Sequence, residues 1–229
     1  VLGLVNVLFA AFVSMQLPYL FGGIDLVQQT PDLKLADYAR RGFGDLVVVA
    51  ALVLPMLLAS QWLVRKSEPR ARTAFNILAV VQIGLLFVVM SSAVQRLLIL
   101  TGESGYGLTQ VRFYPMVFMI WLAIVFIWFS ATVLRGRRDL FAWGALWAAV
   151  VVLGIVNLMN PESFIARTNL ERAVDGRTTD IEFNYSLSED AVADLLNGIA
   201  ALPEDERCRA KVRLHWRLLE LENSTADAR

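Results

Sequence analysis

The sequence predicts an all-α membrane protein: a polytopic helix bundle with five spans, an interfacial amphipathic helix and a small helical extracytoplasmic tail. Of its 229 residues, 57% are hydrophobic and 18% are charged, whereas an ordinary soluble domain is about 45–50% apolar and about 25% charged. The charges fall mostly after Pro161 or in short clusters. This uneven distribution leaves long uncharged stretches, which are typical of membrane-spanning helices.

Five stretches reach the roughly 20 apolar residues needed to cross a bilayer. They are residues 1–24, 46–64, 73–95 with a continuation to 100, 113–134 and 140–160. None has Asp, Glu, Lys or His in its central part. Buried helices of a large soluble protein are the alternative, but five such runs in succession favour membrane insertion. Because the chain begins at Val1 inside an apolar run, we also expect further spans upstream.

The charges of the loops predict an orientation. The short loops 65–72 and 135–138 carry seven Lys or Arg residues, and the loops on the other side carry four. Lys and Arg accumulate in cytoplasmic loops, so we expect the two basic loops inside. Loops 25–45 and 101–112 and everything after Asn160 are then extracytoplasmic. The predicted domains are a transmembrane bundle over 1–160 and a helical tail over 161–229.

The first outer loop, "TPDLKLADYARRGFGD", has the pattern of a short amphipathic helix. Leu35, Ala39 and Phe43 recur every four residues, with charged residues between them. Such a helix is expected to lie at the membrane interface. Gly42 and Gly44 are expected to let the chain turn into the second span.

The tail is predicted to be helical. Asn160 and Pro161 have the form of a helix cap and first position. A second helix is expected from about Ser188, and a third after Pro203. Their apolar positions fall on one face each: Val192, Leu195, Leu196 and Ile199 in the second, and Val212, Trp216 and Leu219 in the third.

Composition and motifs exclude several classes of site. The chain has 21 Lys or Arg residues and 21 Asp or Glu residues. A basic stripe with interleaved aromatic residues, which would indicate nucleic-acid binding, is missing from the sequence. Cys208 is the only cysteine and His215 the only histidine, so we expect no disulfide and no metal site. Phosphate-binding loops and serine-nucleophile motifs are missing, and no cofactor is expected. Polar residues within the spans are expected to hydrogen-bond between helices: Asn6, Gln16, Gln61, Gln82 and Asn157.

Arg96 is the least expected residue in the apolar spans, because its charged side chain lies near the end of the run 73–100. It lies 23 residues after Thr73, about 34 Å further along a helix at 1.5 Å per residue, and therefore at the outer boundary of the hydrocarbon. One interpretation is an interfacial anchor whose guanidinium extends to the headgroups. The other is an arginine paired with Asp45 or Glu103, which are expected at the same level.

Further polar side chains are expected at this level and make up, with Arg96, a candidate outer cluster. It could hold an anionic headgroup or substrate, or it could lock loops to helices. The additional members are Tyr38, Arg40, Tyr106, Thr109 and Arg112.

Four spaced motifs resemble a family of bacterial inner-membrane proteins known as a domain of unknown function (4153-like or 4173-like). They are "YARRGFGDL" (38–46), "SSAVQR" (91–96), "GLTQVR" (107–112) and "NPESFIARTNLER" (160–172). The resemblance covers essentially the whole chain and implies further upstream spans and a location in the bacterial inner membrane. At Arg41 and Asp45 the family more often has Glu. The resemblance supplies no activity.

Two functions therefore remain open. The first is a non-enzymatic envelope sensor, scaffold or accessory subunit, with the lipid bilayer and an envelope protein as partners. The second is a membrane enzyme or lipid-handling protein, with Asp45 or Glu103 as the acid or base and Arg40, Arg96 and Arg112 holding an anionic lipid or substrate. A transporter is disfavoured because the centres of the spans hold no ionisable residue.

Overall fold

The computed structural model describes residues 2–20, 35–63, 69–101, 107–137, 139–177, 187, 189–202 and 204–227. Within these ranges the regular structure is entirely helical. Two 3-10 turns, Glu189–Ala191 and Ile199–Ala201, flank the seventh helix. The helices are α1 (Leu2–Leu20), α2 (Leu35–Leu63), α3 (Pro69–Thr101), α4 (Gln110–Thr132), α5 (Asp139–Met159), α6 (Pro161–Val174), α7 (Val192–Gly198) and α8 (Glu204–Asp227).

Each of the five predicted spans falls on one of the first five helices. Four stretches are long and apolar enough to cross a membrane: Leu46–Leu63 of α2, Arg70–Ile99 of α3, and all of α4 and α5. In α1 the stretch Leu2–Met15 is a shorter apolar helix. The predicted fold class is confirmed, since these are the helices of a multi-pass membrane protein.

The predicted turn between the amphipathic segment and the second span was wrong. α2 continues without interruption from Leu35 to Leu63, through Gly42 and Gly44. A glycine inside a helix costs only about 1 kcal/mol relative to alanine, which a growing helix tolerates because every further residue adds a backbone hydrogen bond. The amphipathic segment is thus the first part of α2. Residues 30–34, at the beginning of the quoted segment, lie outside the described residues.

The chain divides into two compact units, and unit 1 comprises Val1–Leu100 and Pro115–Val151. Its core consists of apolar side chains from α1 to α5. Two of the polar residues predicted to join helices do so: Asn6 Nδ2 donates to the carbonyl oxygen of Leu78 at 2.8 Å, and Gln61 Nε2 donates to that of Val133 at 3.1 Å. The largest fully buried apolar side chains of this unit are Leu46, Leu57, Leu86, Met119, Phe126 and Phe129.

Unit 2 comprises Thr101–Tyr114 and Val152–Arg229. As predicted, Asn160 caps α6, since its side chain accepts a hydrogen bond from the backbone N–H of Ser163. α6 packs on α7 through Gly198, where an added Cβ would lie 2.5 Å from Leu170 Cδ1. The apolar face predicted for the second tail helix is confirmed at Leu195 of α7 and at Ile199 of the 3-10 turn that follows, whereas Leu196 is exposed.

Candidate functional site

Asn169 on α6 holds the backbone of the loop that precedes α4. Its Oδ1 accepts from the N–H of Leu108 and its Nδ2 donates to the carbonyl oxygen of Leu108, both at 2.8 Å. Asn169 is 2% exposed, so water does not compete for these two bonds. A buried backbone group that loses its partner costs about 1–3 kcal/mol. One amide therefore fixes both polar groups of a residue 61 positions earlier in the chain.

Gly107 makes this close approach possible. Its φ is 88°, in the left-handed region where only glycine is unstrained. A Cβ at this position would lie 2.7 Å from Asn169 Oδ1. Any other residue would therefore be strained in its backbone and would also push the asparagine away from Leu108.

Two arginines donate to backbone carbonyl oxygens of the same region. Arg172, one helical turn after Asn169, donates from Nη1 to the carbonyl oxygen of Thr101 at 2.7 Å. Arg112, in the first turn of α4, donates from Nη1 to the carbonyl oxygen of Gly107. Charged donors make stronger hydrogen bonds than neutral ones. Gly107, Leu108, Arg112, Asn169 and Arg172 are hereafter the loop–α6 cluster.

A further polar contact joins α4 to the start of α6. Gln110 Nε2 donates to Glu162 Oε1 at 2.5 Å. Phe113 and Phe164 lie beside it with ring centroids 6.0 Å apart. The "GLTQVR" and "NPESFIARTNLER" motifs thus pack against each other along their lengths, through polar and aromatic contacts together.

A second polar group joins α6 to α7. Asp194 accepts a hydrogen bond from Ser163 Oγ, and Arg167 Nε lies 2.9 Å from Asp194 Oδ1. The Ser163 hydroxyl, and after it the Arg167 guanidinium, hold the pKa of Asp194 below its ordinary value of 3.8, against the opposing effect of burial. The carboxylate is therefore ionised at neutral pH and acts as an acceptor.

These arrangements restrain the fold and offer little for acid–base chemistry. A serine nucleophile needs a neighbouring base that can take its proton, and a carboxylate of lowered pKa is a weak base. Cys208 and His215 are both exposed on α8. Among the described residues, no three His, Cys, Asp or Glu side chains come together as metal ligands.

Arg96, the predicted centre of the outer cluster, is buried in unit 1 at 2% exposure. An anchor that reaches the headgroups needs an exposed guanidinium, so this burial contradicts the interpretation of Arg96 as an interfacial anchor. The pairing with Asp45 or Glu103 stays a prediction. The side chain of Asp45 and all of Glu103 lie outside the described residues.

The other predicted cluster residues divide between described and undescribed parts of the chain. Tyr38 and Arg40 lie on α2, but their side chains, like all of Tyr106, are outside the description. Thr109 accepts at its carbonyl oxygen from the N–H groups of Arg112 and Phe113, at 3.0 and 2.9 Å. Thr109 and Arg112 are therefore placed together at the start of α4.

Sequence reasoning missed the two residues that organise this site, Asn169 and Arg172. Both lie in a quoted motif, and both are buried polar residues on a face shared with Ile165, Ala166 and Ala173. Polar residues spaced by three on an otherwise apolar helical face are the local signal that was available. Their partners, 61 and 71 residues earlier, leave no local signal.

Comparison with known families identifies the group to which these motifs belong. The family model described as Domain of unknown function (DUF4153) matches residues 1–198. The chain belongs to this family, and the resemblance read from the motifs is confirmed. α8 lies beyond the matched residues. No curated protein and no solved structure matches the chain.

Proposed function

We propose that this member of the DUF4153 family is a non-enzymatic scaffold or accessory subunit of the bacterial inner membrane, whose unit 2 presents a fixed extracytoplasmic surface to an envelope protein. One observation carries the proposal. The polar side chains of the loop–α6 cluster bond to the backbone of their own unit, in the way that Asn169 bonds to both polar groups of Leu108.

Burial supports this assignment. Asn169 and Arg172 are 2% and 6% exposed, and both donate to carbonyl oxygens within the chain. A group that binds substrate must be reachable and must exchange its partners during the reaction. Residues held in this way define the shape of a surface, which is what a scaffold requires.

The location follows from sequence arguments. Seven Lys or Arg residues in loops 65–72 and 135–138, against four in the opposite loops, favour the basic loops on the cytoplasmic side. Unit 2 is then extracytoplasmic. The resemblance to bacterial inner-membrane proteins agrees with this placement.

Neutral substitutions of the candidate carboxylates test the proposal. Asp45→Asn and Glu103→Gln would be introduced into the full-length protein in its own host, and complexes would be resolved on native gels after mild solubilisation. We expect each variant to migrate in the same protein complex, with lower abundance if its carboxylate pairs with the buried Arg96. Asn169→Ala, which loosens the loop–α6 cluster, should reduce the amount of that complex.

The alternative is an enzyme or lipid-handling protein in which Asp45 or Glu103 is the acid or base. A buried arginine is costly unless it pairs with an opposite charge, and on this alternative Arg96 positions that carboxylate. On this alternative Asp45→Asn or Glu103→Gln would abolish complementation of a deletion strain while abundance and complex stay unchanged. That result would overturn the scaffold proposal, because a scaffold has no use for a proton donor.

A further inference from the structure

α8 carries an exposed apolar stripe along one side. Val212, Trp216 and Leu219 are 53%, 62% and 37% exposed. Their spacing of four and three residues places them on a single face of the helix, in the alternation that faces a partner helix in a two-stranded coiled coil. These three residues are hereafter the α8 stripe. Apolar side chains that are exposed in line, rather than singly, mark an interaction surface.

The opposite side of α8 is fixed against its own unit. Ala210 and Leu214 are buried at 0% and 3% exposure. At 100° per residue, they lie roughly 160° from Val212 around the helix. Arg207 donates from Nε and Nη2 to the carbonyl oxygen of Leu202, at 3.3 and 2.9 Å. The α8 stripe therefore faces away from the residues on which α8 packs.

The charges of α8 change sign along the stripe. Residues 207–217 contain five Lys or Arg and no Asp or Glu, whereas residues 218–227 contain three Asp or Glu and no Lys or Arg. Lys211 and Glu222 fall on the same side of the stripe, roughly 100° and 80° from its first residue. One comes before the middle residue, Trp216, and the other after it. The acidic residues 204–206 precede the stripe by about 9 Å or more.

This order of charges is complementary to itself in one orientation. In a parallel pair of α8 helices each residue would face its own counterpart, so that lysine would meet lysine and glutamate would meet glutamate. In an antiparallel pair with a two-fold axis at Trp216, Lys211 of one copy comes opposite residue 221 of the other, next to Glu222. A two-fold axis makes every such contact twice, so two ion pairs form in each dimer.

We infer that α8 pairs with α8 of a second copy of this chain in antiparallel orientation, with the α8 stripe buried between the two helices and Lys211 of each copy beside Glu222 of the other. Trp216 then lies at the two-fold axis, and a large aromatic residue at the centre of an interface contributes strongly to affinity. The inference is independent of the proposed scaffold function, and α8 lies outside the family match.

The fraction of dimers would be measured on the full-length protein in phosphatidylcholine vesicles. Cys208, the only cysteine of the sequence, is exposed and would be replaced by serine. One fluorophore per chain would then be attached at Ala200→Cys, an exposed position of the 3-10 turn before α8. Single-molecule photobleaching would count one or two labels per particle as the protein is diluted with lipid.

Exchanging the charges of two positions tests the pairing. Lys211→Glu replaces two attractions by two repulsions in each dimer and should raise the dissociation constant about tenfold. Glu222→Lys should do the same. The double variant Lys211→Glu, Glu222→Lys restores opposite charges across the interface and should dimerise like the wild type. Asp190→Lys, an exposed charge reversal in the 3-10 turn before α7, is the control and should leave the dimer unchanged.

Recovery in the double variant would report a contact between chains. Lys211 and Glu222 are 11 residues apart in one helix, or about 17 Å. The screening length at physiological ionic strength is about 8 Å. The two charges therefore have little effect on each other within one chain.

Disulfide formation gives the orientation of the pair. In the antiparallel arrangement Val212 faces residue 220 of the other copy, so we expect Val212→Cys chains to crosslink to Leu219→Cys chains. Two Val212→Cys chains should not crosslink, because their cysteines lie about 12 Å apart along the helices. A disulfide needs Cα atoms within about 7 Å of each other.

Three results would overturn the inference. A double variant that dimerises no better than Lys211→Glu alone would show that the two charges do not meet. Val212→Cys chains that crosslink to one another more efficiently than to Leu219→Cys chains would indicate parallel helices. Monomers at every protein density, or dimers that Trp216→Ala leaves unchanged, would show that the α8 stripe is not the contact.

Discussion

Asn169 satisfies both backbone polar groups of Leu108, accepting from its N–H and donating to its carbonyl oxygen at 2.8 Å each. This pair joins the motif loop before α4 to the motif helix α6, and Gly107 provides the space for it. The backbone of this loop is therefore held by a buried amide that lies 61 residues away in the chain.

Replacing Asn169 tests the strength of this pair. Asn169→Ala leaves the N–H and the carbonyl oxygen of Leu108 without their partner, and each such group costs about 1–3 kcal/mol. We expect a clear fall in thermal unfolding temperature in detergent. Asn169→Asp keeps the acceptor for the N–H but sets a buried carboxylate oxygen against the carbonyl oxygen of Leu108, so we expect its unfolding temperature to fall as well. Thr168→Ala is the control, because Thr168 is half-buried and its hydroxyl donates only to the carbonyl oxygen of Phe164 in its own helix. An equal effect of all three changes would contradict this assignment.

Gly107→Ala tests the close approach between the loop and α6. Alanine at a φ of 88° is strained by roughly 1–2 kcal/mol, and its Cβ would also displace Asn169 Oδ1, 2.7 Å away. Gly176 is the matched control, since its φ is 72° and nothing lies within 4 Å of an added Cβ. We expect Gly107→Ala to destabilise the protein more than Gly176→Ala does.

A double-mutant cycle separates strain from collision at Gly107. In the Asn169→Ala background the added methyl group no longer meets an amide, so Gly107→Ala should cost only its backbone strain. Additive effects of the two substitutions on the free energy of unfolding would show that they act separately. The collision would then be excluded as the reason for the glycine.

Gly144→Ala is expected to destabilise unit 1. A Cβ at Gly144 on α5 would collide with the indole of Trp128 on α4, whose Nε1 donates to the carbonyl oxygen of Leu140 at 3.3 Å. Gly154→Ala on the same helix meets nothing within 4 Å. Because alanine is the better helix former by about 0.5–1 kcal/mol, Gly154→Ala should be neutral or stabilising. Unfolding titrations in mixed micelles would compare the two, and equal destabilisation would contradict the close packing of α4 and α5.

The stability of unit 2 is expected to depend on pH because the pKa of Asp194 is lowered in the folded protein. A carboxylate whose pKa is lower in the folded than in the unfolded protein stabilises the fold at any pH above the unfolded pKa, which is near 3.8. This stabilisation is lost as the pH falls through the folded pKa. Ser163→Ala removes the largest cause of the depression. We therefore expect the pKa of Asp194 to rise and acid unfolding to begin at higher pH. An unchanged acid midpoint would show that the hydroxyl does not stabilise the ionised carboxylate.

Sequence reasoning predicted the features that short-range physics dictates. Bilayer thickness sets the length of the apolar runs, and α6 begins at Asn160 because the asparagine caps a helix whose first residue is proline. The turn at Gly42 and Gly44 was wrong, since glycine weakens a helix without ending it. Periodicity also identified the apolar face of Val212, Trp216 and Leu219 but could not show that it is exposed.

The site was harder to predict because its contacts join distant parts of the chain. Leu108 and Asn169 are 61 residues apart, and a single sequence carries no information on covariation between two positions. The burial of Arg96 likewise depends on how the helices pack around it. The periodicity and length of the apolar runs do not determine this packing.

The measurement that tests the scaffold account most directly is native mass spectrometry of the full-length protein, solubilised mildly from its own membrane. We expect a bound protein partner and no stoichiometric small ligand. We also expect Gly107→Ala to release this partner and Gly176→Ala to retain it. A bound lipid or lipid-linked mass without a protein partner, lost in Arg96→Ala, would contradict the account and make the buried arginine part of a ligand site.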